Sequence, residues 1–157
     1  SLEPSYAFMR GYPYRCWEQR LSRGIMAALL PRLGAHLPKG FSWEESGELV
    51  RTLPADAGDF QAPNGGMGYF RGQDGYEDPF LTAFTLIAAD MLEQLDLRFQ
   101  PRVKERAIEY LDRWLREEVQ SEGYAGADAA NTKAAALAAL ARHGKLSPAE
   151  LKRHEKL

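Results

Sequence analysis

The sequence contains little cysteine. Only one of its 157 residues, Cys16, is a cysteine, so no disulfide can form within the chain. One cysteine is compatible with a reducing compartment, or with an oxidising compartment if the sulfur is otherwise occupied. The role of this sulfur therefore has to be sought in packing or in a different covalent bond.

Long apolar runs are also missing. No stretch approaches the roughly 20 apolar residues that a membrane-spanning helix needs. Residues 1–4 lack the basic and apolar regions of a signal peptide, and the last four residues continue a helical pattern. We therefore expect a chain cut from a longer protein, with any targeting signal outside this sequence.

Neither sign of charge is in excess. The 20 basic and 22 acidic residues give a formal charge of −2, which offers no electrostatic argument for a nucleic-acid partner. No run of like charge indicates binding to an anionic membrane surface. No cluster of cysteine and histidine has the spacing of a metal site, and Asn64-Gly65-Gly66 is not a dinucleotide-binding motif because no predicted strand precedes it. We expect no metal and no cofactor.

Helical patterns dominate, and no convincing alternating run predicts a strand. Ser42 and Glu45 are expected to form a capping box, while Asp78 is expected to cap a helix whose first residue is Pro79. The predicted helices cover approximately residues 16–30, 42–53, 78–97, 101–119, 128–143 and 147 onward, with Pro31 and Pro54 perturbing or ending the first two.

The segment 54–79 is rich in glycine and is unusually long for a loop in a compact domain, which suggests that it has a role in packing or in function. Part of it, residues 66–70, faintly echoes a predicted turn at 123–126. Paired helices with such weak repetition are typical of α-solenoids and of α/α toroids. The length fits one domain.

Cys16 and Gln19 lie three positions apart at the start of a predicted helix, which places two side chains on one face. A cysteine sulfur that attacks the glutamine carboxamide, with loss of ammonia, closes a ring containing a thioester. The positive end of the helix dipole favours the attacking thiolate. The spacing alone is better explained by a buried free cysteine beside a surface glutamine, because free cysteine is among the most buried residue types.

The residues around this pair carry a resemblance. The run Tyr12-Pro13-Tyr14-Arg15-Cys16-Trp17-Glu18-Gln19 resembles the thioester signature of the α2-macroglobulin and complement family, most closely its bacterial form. Three later segments are similar to motifs of the same domain: Gln61 with residues 64–70, residues 78–84, and residues 140–144. Arg15 replaces the usual glycine, and Trp17 replaces a smaller or aliphatic residue.

The resemblance implies an all-α chain that forms about the first half of an α/α toroid, with residues 1–157 as a fragment of a single thioester-containing domain. It also implies a protease inhibitor, not an enzyme, in a bacterial periplasm. A lysine amine of the target protease would attack the acyl group of Gln19 and release Cys16 as a thiol. Further partners would be other domains of the parent protein, whose membrane anchor, if any, would lie outside this fragment.

Aromatic and apolar residues near the motif could shelter a thioester from water or could simply pack in the core; these are Tyr12, Tyr14, Trp17, Met67, Tyr69 and Phe70. Glu18 could orient the loop or support the helix N-terminus. His36, His143 and His154 match no catalytic motif, and we assign none of them a role. We expect the thioester of the isolated fragment to be hydrolysed or never formed, and its open apolar face to favour self-association.

Two other functions stay open at this point. One is a helical interaction module with an inert cysteine. The other is a toroid enzyme, such as a glycosidase or a terpene cyclase, for which Glu77 and Asp78 are the nearest approach to an acid pair. Asp78 is more simply explained as a helix cap.

Overall fold

A computed structural model describes residues 2–72, 75–118 and 127–154. Two strands of two residues each, β1 (Met67–Gly68) and β2 (Glu77–Asp78), pair antiparallel. Most of the other described residues form α-helices, with irregular segments and two 3₁₀ helices (Gly34–His36 and Ala57–Phe60) between them. The α-helices are α1 (Glu3–Gly11), α2 (Trp17–Leu33), α3 (Ser46–Asp56), α4 (Pro79–Glu93), α5 (Pro101–Glu118), α6 (Ala127–Arg142) and α7 (Pro148–His154). The all-α prediction is confirmed, whereas the short strand pair was not predicted. Within these residues, no helix combines the length and apolar character needed to cross a membrane.

Helix α4 lies at the centre and contacts α2, α5 and α6. Its predicted start is confirmed, because Asp78 Oδ1 accepts a hydrogen bond from the backbone N–H of Leu81 at 2.7 Å and Pro79 is the first helical residue. The helix ends at Glu93, before the predicted residue 97, and Asp96 then adopts a left-handed conformation with φ of 62°. That conformation cannot continue a right-handed helix.

Two hydrophobic clusters flank α4. One packs α4 against α2 through residues that include Trp17, Leu21 and Leu92. The other packs α4 against α5 and α6. Met91, also on α4, is 40% exposed.

The two prolines do not end their helices. Pro31 lies inside α2 and Pro54 lies inside α3. Each lacks a backbone N–H and so leaves one carbonyl of the preceding turn without its helical partner, yet packing of the apolar face holds the helix in place.

Helix α3 begins at Ser46 and not at the predicted Ser42. The buried indole of Trp43 packs with Tyr6 and Ala27, which keeps the segment before α3 out of the helix. Glu45 pairs with Arg23 at 3.0 Å, so its carboxylate is not used for the predicted capping box with Ser42. Helix α1, which the sequence pattern did not predict, supplies Tyr6 to this cluster.

The glycine-rich segment is fixed against α5. Arg106 donates to the carbonyl oxygens of Ala62 and Pro63 at 3.0 and 2.7 Å. Gly65 has a φ of +98°, and a Cβ placed there would lie 2.3 Å from the carbonyl oxygen of Arg106, so both the conformation and the close approach require glycine. The turn predicted at residues 123–126 lies outside the described residues.

Candidate functional site

Cys16 lies at the boundary between the extended segment after α1 and the first turn of α2. It is the N-cap residue of α2, with φ of −65° and ψ of 165°. Its carbonyl oxygen accepts the hydrogen bond of the Arg20 N–H at 2.9 Å, which opens the helix. The residue is 8% exposed, so its sulfur lies at the edge of the core.

Gln19 occupies the third position of the same helix and turns back toward Cys16. Its side-chain Oε1 accepts a hydrogen bond from the backbone N–H of Cys16 at 3.2 Å. Together the two residues take the places of a capping box, in which each side chain faces the other residue's backbone. The structure therefore brings the carboxamide of Gln19 beside the residue that carries the sulfur.

This arrangement suits acyl chemistry at Gln19. A carbonyl oxygen that accepts a hydrogen bond from a backbone N–H at a helix N-terminus is polarised, because the donor and the helix dipole both favour negative charge on that oxygen. A nucleophile that attacks the side-chain carbonyl carbon develops charge on this same oxygen. The N–H of Cys16 is thus placed to stabilise the developing charge.

Trp17 anchors the site to the core. Its side chain is fully buried and stacks on Phe60 with 5.1 Å between ring centroids. Its Nε1 donates to Thr85 Oγ1 at 2.8 Å, and its backbone N–H donates to the carbonyl oxygen of Tyr69, also at 2.8 Å. Trp17 therefore joins α2 to α4 and to the glycine-rich segment.

The residues after Gly66 occupy three different environments. Met67 is fully buried in the core, Tyr69 is half-buried and Phe70 is 56% exposed. Burial raises the pKa of the Tyr69 phenol, and the charges of Asp78, Glu18 and Cys16 raise it further. The phenol thus lies within the electrostatic field of the site and stays protonated at neutral pH.

An aromatic row leads into Cys16 from α1. The ring of Phe8 lies 4.9 Å from that of Tyr12, which lies 5.5 Å from that of Tyr14. Tyr14 is 64% exposed, and Pro13 and Glu18 are exposed as well. The motif thus presents an open aromatic surface on one side of Cys16.

Several arginines gather around Arg20 in the first turns of α2, a feature that was not predicted from the sequence. Arg20 pairs with Asp56, and Arg71 pairs with Asp56 and Asp59 at 3.7 and 3.2 Å. The helical spacing of Arg20 and Arg23 could have indicated a shared face. Their approach to Arg15 and Arg71 depends on tertiary packing.

The remaining candidate residues make contacts that stabilise the fold or lie exposed. Asp78 Oδ1 caps α4, and Glu77 bonds the side chain of Asn64, so the two carboxylates do not converge as an acid pair. The Nε2 atom of His143 lies 2.9 Å from the carbonyl oxygen of Leu86, and His36 is exposed. In the described part of the chain, no group of three or more histidine, cysteine, aspartate or glutamate residues could hold a metal ion.

Comparison with known proteins bears on this site. No protein-family model matches the sequence, and neither does any curated protein. Among solved structures, native alpha-2-macroglobulin from E. coli matches 98% of this chain at 25% identity with a TM-score of 0.76. The structure neighbours of this chain are bacterial alpha-2-macroglobulins.

Two other alpha-2-macroglobulin structures match as well. The Salmonella protein reacted with methylamine covers 96% of this chain at 25% identity, with a TM-score of 0.76. Trypsin-activated alpha-2-macroglobulin from Escherichia coli covers 90% of it at 25% identity, with a TM-score of 0.74. The resemblance read from the motifs is confirmed, and this chain spans about 10% of the length of these three relatives.

Proposed function

We propose that this chain is the thioester-bearing part of a protease inhibitor of the alpha-2-macroglobulin type. The observation that carries the proposal is the hydrogen bond from the Cys16 N–H to Gln19 Oε1 at 3.2 Å, which holds a carboxamide against a cysteine at a helix N-terminus. The bacterial neighbours support the family and favour an inhibitor over an enzyme.

The thioester forms by exchange at the side-chain carbonyl of Gln19. The Cys16 sulfur attacks that carbon, the C–N bond of the carboxamide breaks, and ammonia leaves with the thiol proton. The oxygen that carries the transient negative charge is the one that accepts from the Cys16 N–H. The product is an acyl group stored on sulfur.

Trapping uses the stored acyl group. A lysine amine of the target protease attacks the Gln19 acyl carbon, an amide bond forms, and Cys16 returns as a thiol. The protease stays attached and no turnover follows. Exclusion of water before attack preserves the group. Phe70 and Tyr14 are exposed here, so we propose that other domains of a longer periplasmic protein cover them until activation.

A second function rests on the burial of Cys16. A cysteine that is 8% exposed and caps a helix could serve packing alone, in a helical interaction module. The same position is also the one that thioester formation needs, because the sulfur must be sheltered from water. The reactivity of Cys16 and Gln19 toward an amine therefore distinguishes the two functions.

The test uses the full-length natural protein that carries this sequence, together with isotope-labelled methylamine. We expect the untreated protein to be lighter by one ammonia and to lack a titratable thiol at Cys16. After treatment, peptide mass spectrometry should find the label on Gln19 and a thiol on Cys16. A free thiol from the outset with no label would establish the inert-cysteine module instead.

Two variants serve as controls. Cys16→Ala removes the nucleophile and should abolish both the mass difference and the label. Glu18→Gln changes an exposed neighbour within the motif without removing a reacting atom, and it should retain the mass difference. In the isolated 157-residue chain we expect either an unmodified Gln19 or a glutamate at that position, the product of hydrolysis.

A further inference from the structure

The glycine-rich segment contains an asparagine that is directly followed by a glycine, Asn64-Gly65. Asparagine is a thermally labile residue, and its side-chain amide is lost most readily before glycine, because no side chain hinders the attacking backbone nitrogen. Asn64 is exposed, so water can reach it. The other asparagine of the chain, Asn131, lies inside α6 and precedes a threonine. Deamidation is therefore chemically favoured at Asn64.

Deamidation at this position needs only the chain itself and water. The backbone nitrogen of Gly65 attacks the side-chain carbonyl carbon of Asn64. The C–N bond of the carboxamide then breaks, and ammonia leaves with the proton of the Gly65 N–H. One water molecule opens the resulting succinimide at either of its two carbonyls, which gives aspartate or isoaspartate at position 64.

The folded turn restrains the attacking nitrogen. The N–H of Gly65 donates to the carbonyl oxygen of Ala62 at 3.0 Å. Gly65 also packs so closely on the carbonyl oxygen of Arg106 that no Cβ fits between them. The nitrogen can attack Asn64 only if its peptide plane rotates, and that rotation breaks the bond to Ala62.

The carboxamide of Asn64 is held at both of its ends. Its Oδ1 accepts a hydrogen bond from the N–H of Gly66 at 3.0 Å, and its Nδ2 donates to Oε1 of Glu77. Glu77 belongs to β2 and is paired with Gly68 of β1, so its position depends on the strand pair. Three hydrogen bonds of the turn therefore oppose ring closure.

The product of the reaction does not fit the closed turn. An aspartate at position 64 has no amide group to donate to Glu77, and it places a second carboxylate beside the first. Oε2 of Glu77 is already buried without a hydrogen-bond partner among the described residues, so nothing there offsets the repulsion. Isoaspartate adds a methylene to the main chain beside Gly65, where the packing against Arg106 is tight.

We propose that Asn64 is a deamidation site that the closed turn suppresses, and that its modification keeps the turn open afterwards. The inference does not depend on the thioester. Deamidation would give the glycine-rich segment a permanent record of having opened. Because Tyr69 of the same segment accepts the N–H of Trp17 at 2.8 Å, an open segment also loosens the first turn of α2.

The closed turn should slow the reaction strongly. Each ordinary hydrogen bond shifts an opening equilibrium by roughly two- to tenfold, so three of them give a suppression on the order of a hundredfold. The test follows the full-length natural protein and a synthetic peptide of residues 61–67 at neutral pH and equal temperature. Mass spectrometry measures aspartate and isoaspartate at position 64. Equal rates in the protein and the peptide would overturn the suppression.

Matched variants locate the restraint. Glu77→Ala removes the acceptor of Asn64 Nδ2 and should raise the deamidation rate about tenfold. Glu77→Gln keeps an acceptor oxygen and should stay close to the parent protein. Glu48→Ala, at a side chain that is 75% exposed on α3, should leave the rate unchanged. A rate in Glu77→Ala equal to that of the parent would overturn the role of Glu77.

The variant Asn64→Asp tests whether the modified turn stays open. We expect the N–H of Trp17 to exchange faster with deuterium in this variant, measured by mass spectrometry on the full-length protein, while the amides of α6 exchange as before. Unchanged exchange at Trp17 would overturn the proposed opening. An equal rise in α6 would overturn it as well, because the cause would then be a general loss of stability.

Discussion

The backbone N–H of Trp17 donates to the carbonyl oxygen of Tyr69 at 2.8 Å. This bond joins the first turn of α2, which carries Cys16 and Gln19, to the glycine-rich segment. That segment is fixed in turn by Arg106 of α5, which binds two of its carbonyl oxygens. The geometry of the candidate pair Cys16 and Gln19 therefore depends on an arginine that does not touch it.

Replacing Arg106 with glutamine tests this dependence. The variant loses the charged donors to Ala62 and Pro63, and we expect the free energy of unfolding to fall by about 1–3 kcal/mol. In the full-length protein, the acyl group of the proposed thioester should hydrolyse faster, seen as earlier appearance of a thiol at Cys16. Arg102→Gln, an exposed change on the same helix, should alter neither quantity. An unchanged hydrolysis rate in Arg106→Gln would show that the loop contact is merely structural.

Glycine at position 65 should be essential. A Cβ there would lie 2.3 Å from the Arg106 carbonyl oxygen at a φ of +98°, so Gly65→Ala combines a backbone clash with conformational strain. We expect a loss of at least about 2 kcal/mol in urea unfolding. The comparison is Gly47→Ala in α3, where a Cβ meets no atom within 4 Å. That change should stabilise by about 0.5–1 kcal/mol because alanine is the better helix former.

The indole of Trp17 depends on one buried hydroxyl. Thr85→Val keeps the shape of the side chain but removes the acceptor of the Trp17 Nε1 hydrogen bond, which measures 2.8 Å. A buried donor left without a partner costs about 1–3 kcal/mol, and urea unfolding should show this loss. Thr85→Ser retains the hydroxyl and loses a methyl group, so it should cost less. Equal costs for the two variants would mean that the hydrogen bond contributes little.

Local spacing allowed the sequence to predict part of this site. Cys16 and Gln19 are three residues apart, and the periodicity of a helix alone places them together, as it places the cap Asp78 beside Leu81. The buried position of Trp17 was not predictable in this way. It requires Thr85, which is 68 residues away in the chain.

The predicted helix boundaries were wrong for the same reason, because contacts between residues far apart in the chain decide them. Ser42 and Glu45 have the spacing of a capping box, but Arg23 pairs with the carboxylate of Glu45, and packing of Trp43 keeps the segment before α3 out of the helix. Pro54 is a local helix breaker, yet burial of Leu53 holds α3 together. Tertiary contacts override local preference in both cases.

The phenol of Tyr6 should destabilise the fold. The residue is fully buried, and its hydroxyl has no hydrogen-bond partner among the described residues. Tyr6→Phe removes an uncompensated polar group and keeps the edge-to-face contact with Trp43 at 6.4 Å between ring centroids, so we expect a gain of about 1 kcal/mol at neutral pH.

The advantage of Tyr6→Phe should grow at alkaline pH. Burial raises the folded-state pKa of Tyr6 above its ordinary value of 10.0. Between that value and the raised one, the unfolded chain has released the phenolic proton and the folded chain has not, so the free energy of unfolding falls as pH rises. The variant lacks this group and should lose less stability over the same window. Urea unfolding at neutral pH and above pH 10.0 measures the gain in free energy of unfolding and its growth at alkaline pH. The control is Tyr76→Phe, a change at a side chain that is 74% exposed, and it should alter neither quantity. A constant difference between Tyr6→Phe and the parent chain at both pH values would show that Tyr6 titrates alike in the two states.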